Sequence, residues 1–207
     1  TGDIGNMKDQ AHRLILLGPA ILGLAAYLLP SLAHAHFGVG DTAGFAHGVG
    51  HPLGGVDHII AMVAVGLWAA QCGGRALWFI PAAFVLVMGL GGFAGTMGFA
   101  VPFVEQGIVL SVLVLGVLVA AAVRLPLFTG ALIVGLFAVF HGHAHGAEMP
   151  ASALGIAYGA GFVLATAILH ALGIGAALLT RRLGQSSLVR VTGGAIAMSG
   201  VYLWLAA

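Results

Sequence analysis

Charge is what this sequence has least of. Asp, Glu, Lys and Arg make up 6% of its 207 residues, against 60% hydrophobic residues, whereas a water-soluble domain uses about 25% charged residues. So little polar surface excludes an ordinary soluble fold. The formal net charge is +1 and the basic residues stand singly or in one adjacent pair, which leaves no footprint for nucleic acid. One cysteine, Cys72, is present; it cannot form an intrachain disulfide or a paired-thiol metal clip, and at the end of an apolar run it reads as structural. No HExxH, no GxSxG and no nucleophile beside a base is found, and this points away from an enzyme. Long polar segments are also missing, so the chain reads as one domain that is itself a bundle of transmembrane helices.

What is present in quantity is apolar sequence. At about 20 residues per crossing, the chain has room for six or seven spans, placed by charge, Gly and Pro near 14–32, 53–71, 76–100, 105–123, 126–142, 151–179 and 188–206. The expected fold is all-α: a polytopic bundle with six helices in the mature chain after an N-terminal signal or first hydrophobic helix. Residues 1–35 read as a cloning scar (Thr1 to Asn6), a basic stretch with Lys8, His12 and Arg13, and an apolar run from Leu14 to Leu29. Ala33-His34-Ala35 then resembles a small-residue cleavage site. Residues 36–207 form the transmembrane domain. The 34 glycines suit helix contacts in lipid, where small residues let backbones approach; Gly91 with Gly95 and Gly142 with Gly146 are candidate pairs.

Basic residues in short loops stay cytoplasmic. With the N-terminus inside, Lys8, Arg13, Arg75, Arg124, Arg181, Arg182 and Arg190 all fall on the inner side. The outer side then collects Asp41, Asp57, Glu105 and Glu148 with His34, His36, His47, His51, His58, His141, His143 and His145.

Two stretches concentrate this chemistry. In the first, His51-Pro52-Leu53-Gly54-Gly55-Val56-Asp57-His58, Pro52 suits a first helical position. His51 is then the cap of a helix on which His51, His58 and Met62 share a stripe at i, i+7 and i+11. Asp57 either ligates directly or fixes an imidazole. In the second, His141, His145 and Glu148 lie at i, i+4 and i+7 of one helix face. Imidazole and carboxylate suit divalent nickel, cobalt and zinc without choosing among them, and a carboxylate below the membrane interface is costly unless paired, which makes Asp57 a functional-site candidate. Isolated interfacial histidines often only cap helices, but eight on one face in two dense runs with acidic partners are poorly explained that way. Cleavage before His34 or His36 would add a free amine to an imidazole, a further ion-capturing group. His170, roughly 28 Å along its helix from Ala151, is expected near the inner end, either as an exit ligand or hydrogen-bonded within the bundle.

His51-x5-Asp57-His58 followed by Ala61-Met62-x2-Val65-Gly66-x-Trp68-Ala69, together with Phe140-His141-Gly142-x-Ala144-His145-Gly146-x-Glu148, resembles the two signatures of the HupE/UreJ family. The resemblance extends to Pro102-x2-Glu105 and covers most of the chain after residue 33. It implies a bacterial inner-membrane permease with a signal peptide and six mature helices, supplying nickel for hydrogenase or urease, or cobalt in some members. It implies that His51, Asp57, His58, His141, His145 and Glu148 carry the metal, with Glu105 at an acidic position of the family. His143 occupies a variable position. The expected partners are a divalent metal ion, Ni2+ or Co2+ as the transported ion with Zn2+ also acceptable to these ligands, and the lipid bilayer. No catalytic cofactor is expected, and association into homo-oligomers stays open. A metal-binding accessory or structural subunit without transport is the alternative.

Overall fold

The computed structural model describes residues 41–149 and 155–206. The first hydrophobic segment, the cleavage region and His36 lie outside the described residues. Among the described residues there are seven helices and no strand: α1 (Asp41–Gly54), α2 (Val56–Cys72), α3 (Ala76–Thr96), α4 (Val104–Ala120), α5 (Leu127–Ala147), α6 (Gly155–Arg182) and α7 (Ser186–Ala206). Helices α3, α5, α6 and α7 are each long and apolar enough to cross a membrane. Where six crossings are expected, these four are joined by a bent pair, α1 with α2, and by the shorter apolar α4. The chain is a multi-pass membrane protein. Its large apolar side chains accordingly face outward as well as inward: Leu86 and Leu90 of α3 are each 70% exposed, as lipid permits and water does not.

The expected span over 53–71 is interrupted. Gly55 is extended (φ −101°, ψ 118°) and caps α2, and the axes of residues 44–54 and Val56–Cys72 meet at 84°. Pro52 therefore sits in the last turn of α1, not at the start of a helix, and His51 is not the cap of the helix that carries Asp57 and His58. The single-helix stripe of His51, His58 and Met62 does not exist. Helix α1 instead leans on α6, where Gly48 lies against the Tyr158 carbonyl and Gly161 against the Phe45 carbonyl.

Helices α3 and α5 meet through the two expected glycine pairs. A methyl group at Gly142 would land on the Met88 carbonyl oxygen and one at Gly146 on that of Gly92, while Gly91 and Gly95 lie against the backbone of Val139 and His143. Gly66 of α2 lies as closely on the His170 carbonyl of α6. At the other end, the open carbonyls after α4 accept hydrogen bonds from neighbouring helices. Trp68 Nε1 donates to Val123 (2.8 Å), Gln71 Nε2 to Val119 (3.1 Å) and Arg190 Nε to Ala120 (2.9 Å). Gln71, Arg124, Arg181 and Arg190 line a cavity of about 270 Å³ at this end.

A side chain at these backbone contacts must push helices apart. Gly142→Ala is expected to destabilise the bundle by about 1–3 kcal/mol. Gly175→Ala in α6, where a methyl meets nothing within 4 Å, should be neutral or stabilise by up to about 1 kcal/mol. Unfolding titrations in mixed micelles distinguish the two.

Candidate metal-binding site

The histidines of the two sequence motifs meet at the end of the bundle opposite the arginine-lined cavity. The break at Gly55 is what lets them do so: α1 delivers His51 from one side, the first turn of α2 delivers Asp57 and His58, and the last two turns of α5 deliver His141 and His145. The i, i+4 spacing on α5 holds as expected, and both rings are buried. Glu148 caps α5 just past its last turn.

Four imidazoles form a continuous row. Ring centroids are 4.8 Å apart for His51 and His145, 4.7 Å for His145 and His58, and 4.8 Å for His58 and His141. Carboxylates flank the row. Glu148 Oε2 lies 2.9 Å from His51 Nε2 at the half-exposed rim. Asp57 Oδ1 accepts the backbone N–H of His58 at 2.8 Å and lies 2.9 Å from His58 Nδ1. That pairing makes Nδ1 the protonated nitrogen and leaves His58 Nε2 with its lone pair. Deeper in, Ser111 Oγ donates to the Ile108 carbonyl at 2.6 Å and meets His141 Nε2 at 2.9 Å.

The free nitrogens carry the chemistry. His58 Nε2, His141 Nδ1 and both ring nitrogens of His145 are buried without a hydrogen-bond partner, a costly arrangement in a protein interior. Imidazole nitrogens in that state are poised to accept a proton donor or bind a cation. They do not converge on one point: among the described residues, no three His, Cys, Asp or Glu side chains are placed to hold one ion together. The arrangement is a line of adjacent nitrogens with acidic anchors, unlike the closed tetrahedral cage of a structural metal site.

The remaining candidates separate from this row. Glu105 is exposed in the first turn of α4. His143 turns the other way, its Nε2 2.7 Å from the Phe99 carbonyl, so the histidine at the variable motif position serves the α3–α5 junction. Ser111 was missed by the sequence reading; a hydroxyl in the otherwise apolar run Ile108–Val119 was the available signal. Tyr158 was missed as well. Its ring centroid is 6.0 Å from His51, and its hydroxyl is buried and unpartnered.

Gly55 ties the helix break to this geometry. A methyl there would come within 2.7 Å of Asp57 Oδ1 and 2.9 Å of His58 Nδ1, whereas one at Gly54 meets nothing. Alanine tolerates the Gly55 backbone angles, so Gly55→Ala is expected to fold with a melting temperature within about 3 °C of the parent. The Asp57–His58 contact should open, moving the His58 ring resonances in nitrogen NMR; Gly54→Ala should leave them in place.

Comparison with known proteins bears on the family. The family model described as HupE / UreJ protein matches residues 24–203. "Protein HupE" of Rhizobium leguminosarum bv. viciae is 51% identical over 182 residues, covering 87% of this chain and 94% of that protein. No solved structure matches. With its signature histidines gathered at one end of a multi-pass helical bundle, the chain belongs to the HupE/UreJ family.

Proposed function

We propose that this chain is a secondary permease of a bacterial inner membrane, and not an enzyme, which moves nickel or cobalt from the periplasm to the cytoplasm. The observation that carries the proposal is the row of four imidazoles running from the half-exposed His51 and Glu148 to the fully buried His141. The nitrogen and oxygen donors suit borderline divalent ions. The ion would meet Glu148 and His51 first, exchange water for imidazole at His145 and His58, and continue to His141, with Asp57 holding His58 in its ligating tautomer. Transfer along such a row needs weak, sequential ligation, which the lack of a converged cage favours.

Orientation supports the same direction. The described carboxylates Asp57, Glu105 and Glu148 and the described arginines lie in segments at opposite ends, and arginines in short connections mark the cytoplasmic side. The imidazole row then faces the periplasm. A divalent ion moving inward across about 100 mV, inside negative, gains about 4.6 kcal/mol, enough to drive uptake without a nucleotide.

Purified protein in proteoliposomes is expected to take up Ni2+ or Co2+ saturably, faster with an inside-negative potential. Asp57→Ala and His58→Ala should each lower uptake by about tenfold or more, as loss of ligation and of its orienting partner does elsewhere. No uptake above empty vesicles, with a tightly held and non-exchanging metal, would instead make the chain a metal-binding accessory subunit. Ser111→Ala probes the inner end of the row. Removing the hydroxyl that fixes His141 is expected to weaken equilibrium Ni2+ binding by about tenfold, measured by isothermal titration in detergent.

A further inference from the structure

Beyond the row of four, a fifth imidazole, His170, shares a ring neighbour with His141. Phe84 of α3 is fully buried, with its ring centroid 5.7 Å from His141 and 5.2 Å from His170. His170 is on α6, 15 residues past its first residue Gly155 and 12 before its last, Arg182. At 1.5 Å per residue it lies about 18 Å from Arg182, the inner end of the helix. Its side chain is 2% exposed. Neither ring nitrogen has a hydrogen-bond partner, so the expected bond within the bundle is not made.

This is an expensive residue to keep. A polar group buried in hydrocarbon surroundings without a partner is costly, and ionisable residues buried in membrane proteins mark the paths of ions. Packing does not require the imidazole, since its contact with Phe84 would be served equally by a phenyl ring. The place is nevertheless made with care: Gly66 clears the space that brings α2 onto the His170 carbonyl, and Gly173 clears the next turn against Val63 and Leu67.

We propose that His170 is a second, inner metal-binding station, which takes the divalent ion after it passes Phe84 from His141. This rests on the permease reading and extends its path to the centre of the bundle. A buried aromatic ring beside both imidazoles does not repel a cation as an aliphatic side chain would, because the face of an aromatic ring attracts positive charge. The unprotonated ring nitrogen of His170 is then the ligand atom for the partly dehydrated ion, and it is idle when no ion is passing.

The test is flux through His170→Phe and His170→Cys in proteoliposomes, beside the wild type and with equilibrium Ni2+ binding and thermal unfolding measured on each. His170→Phe should retain Ni2+ binding at the outer row within about twofold and melt no more than about 3 °C below the parent, because it removes an unsatisfied polar group. Its uptake should nevertheless fall by about tenfold or more. His170→Cys offers a softer ligand and should raise the ratio of Zn2+ to Ni2+ uptake by about fivefold, which neither a packing role nor a proton relay would do. Wild-type flux with unchanged uptake in His170→Phe overturns the inner station and leaves the permease reading standing. So does a fall in uptake accompanied by a large loss of stability, or a Cys variant that is inactive or unshifted in ion preference. Absence of flux in the wild type overturns both.

Discussion

The contact on which the rest of this structure depends is backbone against backbone between α3 and α5. In a bilayer there is little hydrophobic drive to press helices together, and close approach through small residues takes its place. The motif Phe140-His141-Gly142-His143-Ala144-His145-Gly146 serves this contact and the site at once. Gly142 and Gly146 face α3, where the carbonyls of Met88 and Gly92 leave no room for a methyl. His141 and His145, each one residue earlier and so about 100° around the helix, face the interior towards His58. Any side chain at those glycines would move the imidazoles with the helix. Such a motif thus needs two physical explanations, one for each face.

Part of this was legible in the sequence because it depends on local periodicity. The four-residue spacing of His141 and His145 fixed their common face, the glycine pairs announced the α3–α5 contact, and the segregation of arginines from histidines and carboxylates anticipated the two chemically distinct ends. The approach of Glu148 to His51 depends on where two different helices stop, which spacing within either one cannot supply. The bend at Gly55 was misread for a definite reason. Pro52 is suited to the first turn of a helix, and two glycines after it look like a packing notch; the docking of α1 on α6 overrode that preference. As a result, His51 and His58 approach the same neighbour, His145, from two helices instead of from one stripe. Ser111 stood out only as a lone hydroxyl in an apolar run, and neither it nor Tyr158 could be assigned to the site, because their roles come from helices distant in sequence.

Electrostatics gives the bundle a direction that its shape does not. Carboxylates in the described segments flank the imidazole end, and guanidinium groups line the cavity at the other. The acidic groups also differ among themselves. Glu148 is 58% exposed and can meet a hydrated cation in water, whereas Asp57 is 23% exposed and already committed to His58. A charge in solvent attracts over a distance set by screening; one in the interior acts on its immediate neighbour. The first therefore suits capture and the second orientation, although the two residue types are chemically alike.

On the proposed permease reading, the depth of the histidines follows from the cost of dehydration. Moving even a single charge from water into a medium of low dielectric costs on the order of 20 kcal/mol before relaxation, and a divalent ion loses more, so no path of this kind can contain a long stretch without donors. Rings spaced 4.7–4.8 Å apart let a new nitrogen engage before the previous one has let go. Past His141, Phe84 touches both that ring and the next imidazole, His170. Tight ligation at any point would stop the ion there, since a deep well has to be climbed to leave. Many neutral donors, each incompletely coordinated, lower the barrier along the whole path without creating such a well, and this is why unpaired nitrogens that would be defects in a structural core are consistent with conduction here.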